Sequence, residues 1–157
     1  MNELSNIVAY LCQTYPHKHE LSKARLTKLV YLADWYSSLV DDRQLTDINW
    51  HFNHYGPYVD DVTDSIINNP DFSILNEQTM YGSTKHLIKY NGYFNQHSLS
   101  ERTKQVLDAV INNTKHLYFN DFINYVYSTY PVASNPRYSD FNLVTLAREY
   151  KSKIANV

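Results

Sequence analysis

The residues of this chain with types suited to metal or acid-base chemistry are its seven histidines and an acidic cluster at Asp60, Asp61 and Asp64. Paired carboxylates can serve general acid-base catalysis or metal-dependent hydrolysis, and histidine is a frequent metal ligand. The spacing argues against both uses. His51 and His54 stand three apart, which on a helix would bring them together but on a strand sends them to opposite faces. His17 and His19 flank a lysine beside Pro16, without a cysteine or carboxylate pair at ligand spacing. Asp60, Asp61 and Asp64 suit the start of a helix, where negative charge complements the backbone dipole. Cys12 is the only cysteine, which excludes an internal disulfide and a cysteine-rich zinc site and fits a reducing compartment. Its spacing with Val8 and Leu11 makes it a buried thiol. There is no glycine-rich phosphate loop, no Gly-x-Ser-x-Gly elbow and no His-Glu-x-x-His helix, and only 3 glycines are available to cradle phosphates. No catalytic residue, metal ligand or cofactor is therefore assigned. A small metal-dependent hydrolase using His51, His54 and the three aspartates is the alternative.

With 14 basic and 16 acidic residues among 157, the chain has no net positive charge to attract nucleic acid, and direct binding to it is not expected. No stretch approaches the roughly 20 apolar residues that cross a bilayer, and the N-terminus lacks a signal peptide's basic and apolar regions. A cytoplasmic protein without membrane association is expected. The composition departs from the ordinary in its 15 tyrosines. Tyrosine offers large contact area with a polar tip, as interaction surfaces require, although an A+T-rich coding sequence would enrich it too.

The elements that must position these residues follow from apolar spacing. A first helix spans about Glu3 to Thr14, with Leu4, Ile7, Val8 and Leu11 on one face and Pro16 beyond its end. A second, from about Leu21 to Val40, carries apolar residues around most of its circumference and must be surrounded by protein. Its narrow polar stripe, Lys23, Thr27, Tyr31, Asp34 and Ser38, is expected to face solvent or a partner. Arg25 and Lys28 fall outside that stripe, in line with Leu32, Trp35, Tyr36 and Leu39, at the edge of the core. A long cation there can snorkel outward, pair with an internal carboxylate, or await an external anion.

Ile48 to His54 alternates as a half-buried strand, with Ile48, Trp50 and Phe52 on one face. Gly56 breaks the pattern and Pro57 suits a first helical position, so a helix is expected from Pro57 to about Asn68 with Val59, Val62, Ile66 and also Ile67 inward. Phe72 to Gln96 reads as short strands punctuated by Gly82 and by Asn91-Gly92, the latter favouring a two-residue hairpin turn between Ile88-Lys89-Tyr90 and Tyr93-Phe94. Ser98 and Glu101 form a capping box for a helix bearing Val106, Leu107, Val110 and Ile111. A further helix starts near Asn120 and stops before Pro131, a loop carries Pro131 and Pro136, and a last helix spans about Asn142 to Ile154. The fold class is α+β and mainly α-helical, about six helices with a small antiparallel sheet or hairpin, in one domain over residues 1–157.

Two motifs in this order, Leu26-Thr27-Lys28-Leu29-Val30-Tyr31-Leu32-Ala33-Asp34 and then Tyr55-Gly56-Pro57-Tyr58-Val59 followed by Val62, resemble the Panacea domain. This is the domain of SocA-like antitoxins and GepA-like phage-associated proteins. The resemblance extends weakly from Ser98 through Pro131. It implies a bacterial or phage protein that binds and neutralises a protein toxin, usually one encoded beside it, and that in some members presents the toxin to an energy-dependent protease. Lys28, Tyr31, Gly56 and Pro57 match the family motif. The chain has no segment ahead of its first helix for a helix-turn-helix domain, so autoregulation through DNA is not expected.

The expected function is that of a non-enzymatic, antitoxin-like binding protein. Contact is assigned to an aromatic surface near the corner, Trp50, His51, Tyr55 and Tyr58, supported by Lys28, Tyr31 and Asp34, while Gly56 and Pro57 hold the fold. An accessory protein of a phage or mobile element, keeping the fold but binding a host component, is a further alternative.

Overall fold

The computed structural model describes residues 2–156; Met1 and Val157, the ends of the expected domain, lie outside them. The second expected helix, here α2 (Lys23–Asp41), forms the axis of the structure. Ser22 caps it by accepting a hydrogen bond from the Arg25 amide, and Asp42 ends it in the left-handed region at φ 57°. Leu26, Leu29, Val30, Leu32, Ala33 and Trp35 are buried on it. Around it pack α1 (Glu3–Thr14), the one-turn α3 (Asp61–Asp64), α4 (Glu101–Thr114), α5 (Phe119–Ser128) and α7 (Leu143–Ala155). A short α6 (Tyr130–Ser134) links α5 to α7. Pro131 sits inside its first turn, where its missing amide hydrogen costs nothing, so a helix stands where a loop was expected.

Apart from the half-buried Lys23, the polar stripe of α2 does not face solvent. Thr27, Tyr31, Asp34 and Ser38 are all buried. Three of them have internal partners: the Tyr31 hydroxyl pairs with Thr129 Oγ1 at 2.8 Å, Ser38 donates to the Asp34 carbonyl at 2.7 Å, and the Asp34 carboxylate is filled by donors from the following loop and strand. Buried polar groups are tolerated on these terms, so α2 is enclosed on its polar side as well.

The Ile48 to His54 segment yields β1 (Trp50–Asn53), with Trp50 and Phe52 buried and His51 and Asn53 half-buried. The Gly-Pro corner does not open a helix. Gly56, at φ 100°, turns the chain back so that β2 (Gly56–Tyr58) pairs antiparallel with β1, Asn53 opposite Gly56 and Phe52 opposite Pro57. His54 and Tyr55 form the two-residue turn between the strands. Proline is admissible here because β2 is an edge strand, where a missing donor need not face a neighbour. On the other side of β1 runs β5 (Asp140–Phe141), giving the order β2-β1-β5. The acidic residues after the corner form only the single turn α3, with Val62 and Ile66 inward as expected and Ile67 exposed.

The second sheet is a hairpin of β3 (Phe72–Gln78) and β4 (Thr84–Tyr90), in register from Phe72 opposite Tyr90 to Gln78 opposite Thr84. Its turn lies at Thr79 to Ser83, with Gly82 at φ 80°, not at Asn91-Gly92. The longer seven-pair ladder prevails over the local turn signal. The Ile88 amide also donates to the Leu21 carbonyl at 2.9 Å, which ties β4 to the start of α2. The cap of α4 is likewise Ser100, accepting from the Thr103 amide, while Ser98 donates to the Asn95 carbonyl.

The Asp34 carboxylate joins three segments. It accepts from Trp50 Nε1 at 2.8 Å and from the Thr46 amide at 2.9 Å and hydroxyl at 2.5 Å. Burial pushes its pKa up to about 6 against the pull of these hydrogen bonds. Asp34→Ala strands these donors in a dry interior and is expected to destabilise the fold by at least about 3 kcal/mol in urea unfolding. A loss below about 1 kcal/mol would show that the loop and Trp50 are held by other contacts.

Candidate partner-binding site

Four of the seven residues expected to touch a partner are interior. Tyr31, Asp34 and Trp50 are fully buried and Lys28 is 3% exposed. Tyr31 packs edge-on against Trp50, with ring centroids 5.6 Å apart, so these residues brace β1 against α2 and offer no surface. The other three reach solvent. His51 Nδ1 lies 2.8 Å from an Asp140 carboxylate oxygen, Tyr55 is 77% exposed at the turn with His54 against its ring, and the Tyr58 hydroxyl donates to Asp60 at 2.8 Å. That bond, first, and partial burial raise the Tyr58 pKa. Among the described residues, no three histidine, cysteine, aspartate or glutamate side chains gather to hold a metal ion, so His51, His54 and the α3 aspartates do not form a centre.

The two core-edge cations of α2 meet different fates. Arg25 is paired inside the protein: its guanidinium donates to the Tyr15 hydroxyl and to the Thr114 and Leu117 carbonyls, lies over the Phe122 ring, and has Glu20 at 3.6 Å. Lys28 has burial alone acting on it, which lowers its pKa to about 8. Gly56 lies directly over it. A Cβ built on Gly56 would stand 3.5 Å from Lys28 Cε and 3.1 Å from the Tyr127 ring. The Gly-Pro corner and the lysine of the two motifs are thus one packing unit, with a glycine required both by the positive φ and by the close approach.

Sequence reasoning missed a cluster of exposed apolar side chains. An open groove of about 860 Å³ runs between the tip of the β3–β4 hairpin, the start of α2, Tyr58 and the start of α5. Met80 and Tyr81, at 92% and 91% exposure, and the exposed Tyr118 and Phe119 form its apolar walls. A signal for them was present. A Met-Tyr pair beside Gly82 places large apolar groups in a turn where polar residues are usual, and Tyr118-Phe119 open a helix whose buried face begins at Phe122.

A family model described as antitoxin SocA-like, Panacea domain, matches residues 26–131, from the first turn of α2 into α6. The chain belongs to that family. No curated protein and no solved structure matches it. The match to the Panacea domain includes the buried Lys28, Tyr31, Asp34 and Trp50, the corner, the hairpin and Tyr118-Phe119. It leaves out α1 and α7, which pack against α2 from either end of the chain.

Two substitutions probe the packing of this Panacea motif. Gly56→Ala forces a positive φ on alanine against the Tyr127 ring and is expected to destabilise the fold by about 1–3 kcal/mol in chemical denaturation. The Lys28 pKa falls from 10.5 to about 8, so between those values the unfolded chain holds a proton that the folded one has released, and stability rises with pH. Below that window the buried charge is a penalty on the order of 3 kcal/mol. Lys28→Met is therefore expected to be more stable than the parent at pH 7, with an advantage that shrinks as pH rises through the window. A constant difference across pH would overturn this account of Lys28.

Proposed function

We propose that the chain is a non-enzymatic antitoxin: it binds a cognate protein toxin, encoded by an adjacent gene of a bacterium or phage, and neutralises it in the cytoplasm, by occlusion or by presenting it to a protease. Family membership supports the antitoxin class. The observation that carries a binding mechanism is the cluster of exposed Met80, Tyr81, Tyr118 and Phe119 around one groove, beside a tightly closed core. Large apolar groups gathered at a surface mark an interaction site, and methionine and tyrosine adapt well to a protein partner. His51, Tyr55 and Tyr58 extend the contact from the neighbouring turn, while Gly56 and Pro57 keep that turn in shape.

Co-expression with the product of the neighbouring reading frame tests the reading. The wild-type chain is expected to restore growth arrested by that product and to co-purify with it. Alanine at both Tyr118 and Phe119 is expected to weaken the complex by about 2 kcal/mol or more while leaving the thermal melt near that of the wild type. If the neighbour is toxic and the wild-type chain neither rescues growth nor binds it, the antitoxin reading fails. A toxin level that falls only when an energy-dependent protease is present assigns presentation for degradation; an unchanged level assigns occlusion.

A further inference from the structure

The groove has a charge pattern as well as apolar walls. The segment leading into α2 and its first turn contribute His19, Glu20, Lys23 and Arg25, and β4 contributes Lys85 and His86. Glu20 is the one carboxylate in that lining, and Arg25 lies 3.6 Å from it. Among the described residues Lys23 and Lys85 have no carboxylate within salt-bridge distance; Lys85 instead donates to the His19 carbonyl at 2.7 Å. The first turn of α2 also carries no acidic residue, so the positive end of a 19-residue helix adds to the same sign. On a chain of net charge −2, this is a local reversal.

The surroundings limit the size of the anion. Asp60 lies beside Tyr58 and bonds its hydroxyl, Asp61 and Asp64 follow on α3, Asp121 lies in the first turn of α5, and Glu77 stands opposite Lys85 in the hairpin. A polyanion extending beyond the groove would meet these carboxylates. A short segment with its charge concentrated beside one large side chain would not. Apolar walls with two uncompensated lysines match a protein segment better than a nucleic acid strand, whose charge repeats at every phosphate.

We infer that the groove between the β3–β4 tip and the starts of α2 and α5 receives a short acidic segment of the partner protein, a large apolar or aromatic side chain flanked by carboxylates, with Lys23 and Lys85 reading the charge. The inference rests on the binding reading above and names the chemistry that this site selects. Its test needs no knowledge of the toxin. The probe is a fluorescent peptide bearing a tryptophan–leucine pair flanked by glutamates; a twin carries lysines in place of the glutamates. Anisotropy titration of the full chain is expected to show saturable binding of the acidic peptide, weakening with salt, and at least about tenfold weaker binding of the twin. Lys23→Glu is expected to weaken the acidic peptide by several-fold. Lys85→Glu is expected to do the same, although it also removes the bond to His19, so Lys23→Glu carries the charge test. Equal binding of the two peptides, no saturation at millimolar peptide, indifference to Lys23→Glu with an unchanged melt, or tighter binding of a single-stranded oligonucleotide would each overturn the inference. Those results leave the toxin co-purification untouched, and failure of co-purification leaves the peptide titration standing, so the two ideas fail separately.

Discussion

A carboxylate without solvent, held by its donors, sets the geometry of this protein. Asp34 lies at the middle of α2 with no exposed surface, and its hydrogen bonds fix the Thr46 loop and Trp50 against the helix. A buried charge of this kind is costly unless every oxygen is satisfied, so the arrangement has little tolerance for displacement. From Trp50 the constraint passes along β1, through Phe52 to its partner Pro57, and at Gly56 back down onto Lys28 of the same helix. Two family motifs separated in sequence therefore close a single loop in space around α2.

Asp34 and Lys28 are both buried ions on one helix, yet they stand differently. Asp34 is surrounded by donors, and burial still raises its pKa; Lys28 has only burial acting on it. The first arrangement fixes position, because moving any donor breaks a hydrogen bond to a charge. The second fixes less: Lys28 packs its Cε under the Gly56 backbone, which also meets the Tyr127 ring. Arg25, one turn earlier, shows what full compensation looks like at the same edge of the core, with carbonyls, a hydroxyl and an aromatic face all engaged.

Much of this was legible in the sequence, because helix periodicity and strand alternation are local. The buried character of α2, the alternation of Trp50 and Phe52, the inner face of α4 and the Panacea motifs all follow from residues close together in the chain. What was not legible depends on distant partners. The Tyr31 hydroxyl meets Thr129, ninety-eight positions away, and nothing near Tyr31 in sequence marks it as satisfied. The Gly-Pro corner was ambiguous for a chemical reason. Proline lacks the amide hydrogen that neither a helix start nor an edge strand needs, and only the pairing with β1 selects the strand. The groove was hidden because four parts of the chain far apart in sequence build it.

The division between a closed core and an open groove has a physical basis in the β3–β4 hairpin. Its base is anchored by Phe72, Leu87 and Ile88, which are buried, and by the bond from Ile88 to Leu21. Directly opposite Ile88 and Leu87, Ile74 and Leu75 are already partly exposed, and the tip residues Met80 and Tyr81 are almost wholly so. Two strands alone are marginal in water, and large apolar groups at an unsupported tip do nothing for the fold's own stability. Polar turn residues would serve the isolated protein better. The tip composition is thus at odds with folding alone, which supports the binding role proposed for the groove. At the facing wall, the Arg25 bonds to Tyr15, Thr114 and Leu117 and the Ile88 bond to Leu21 hold the first turn of α2 in a fixed place.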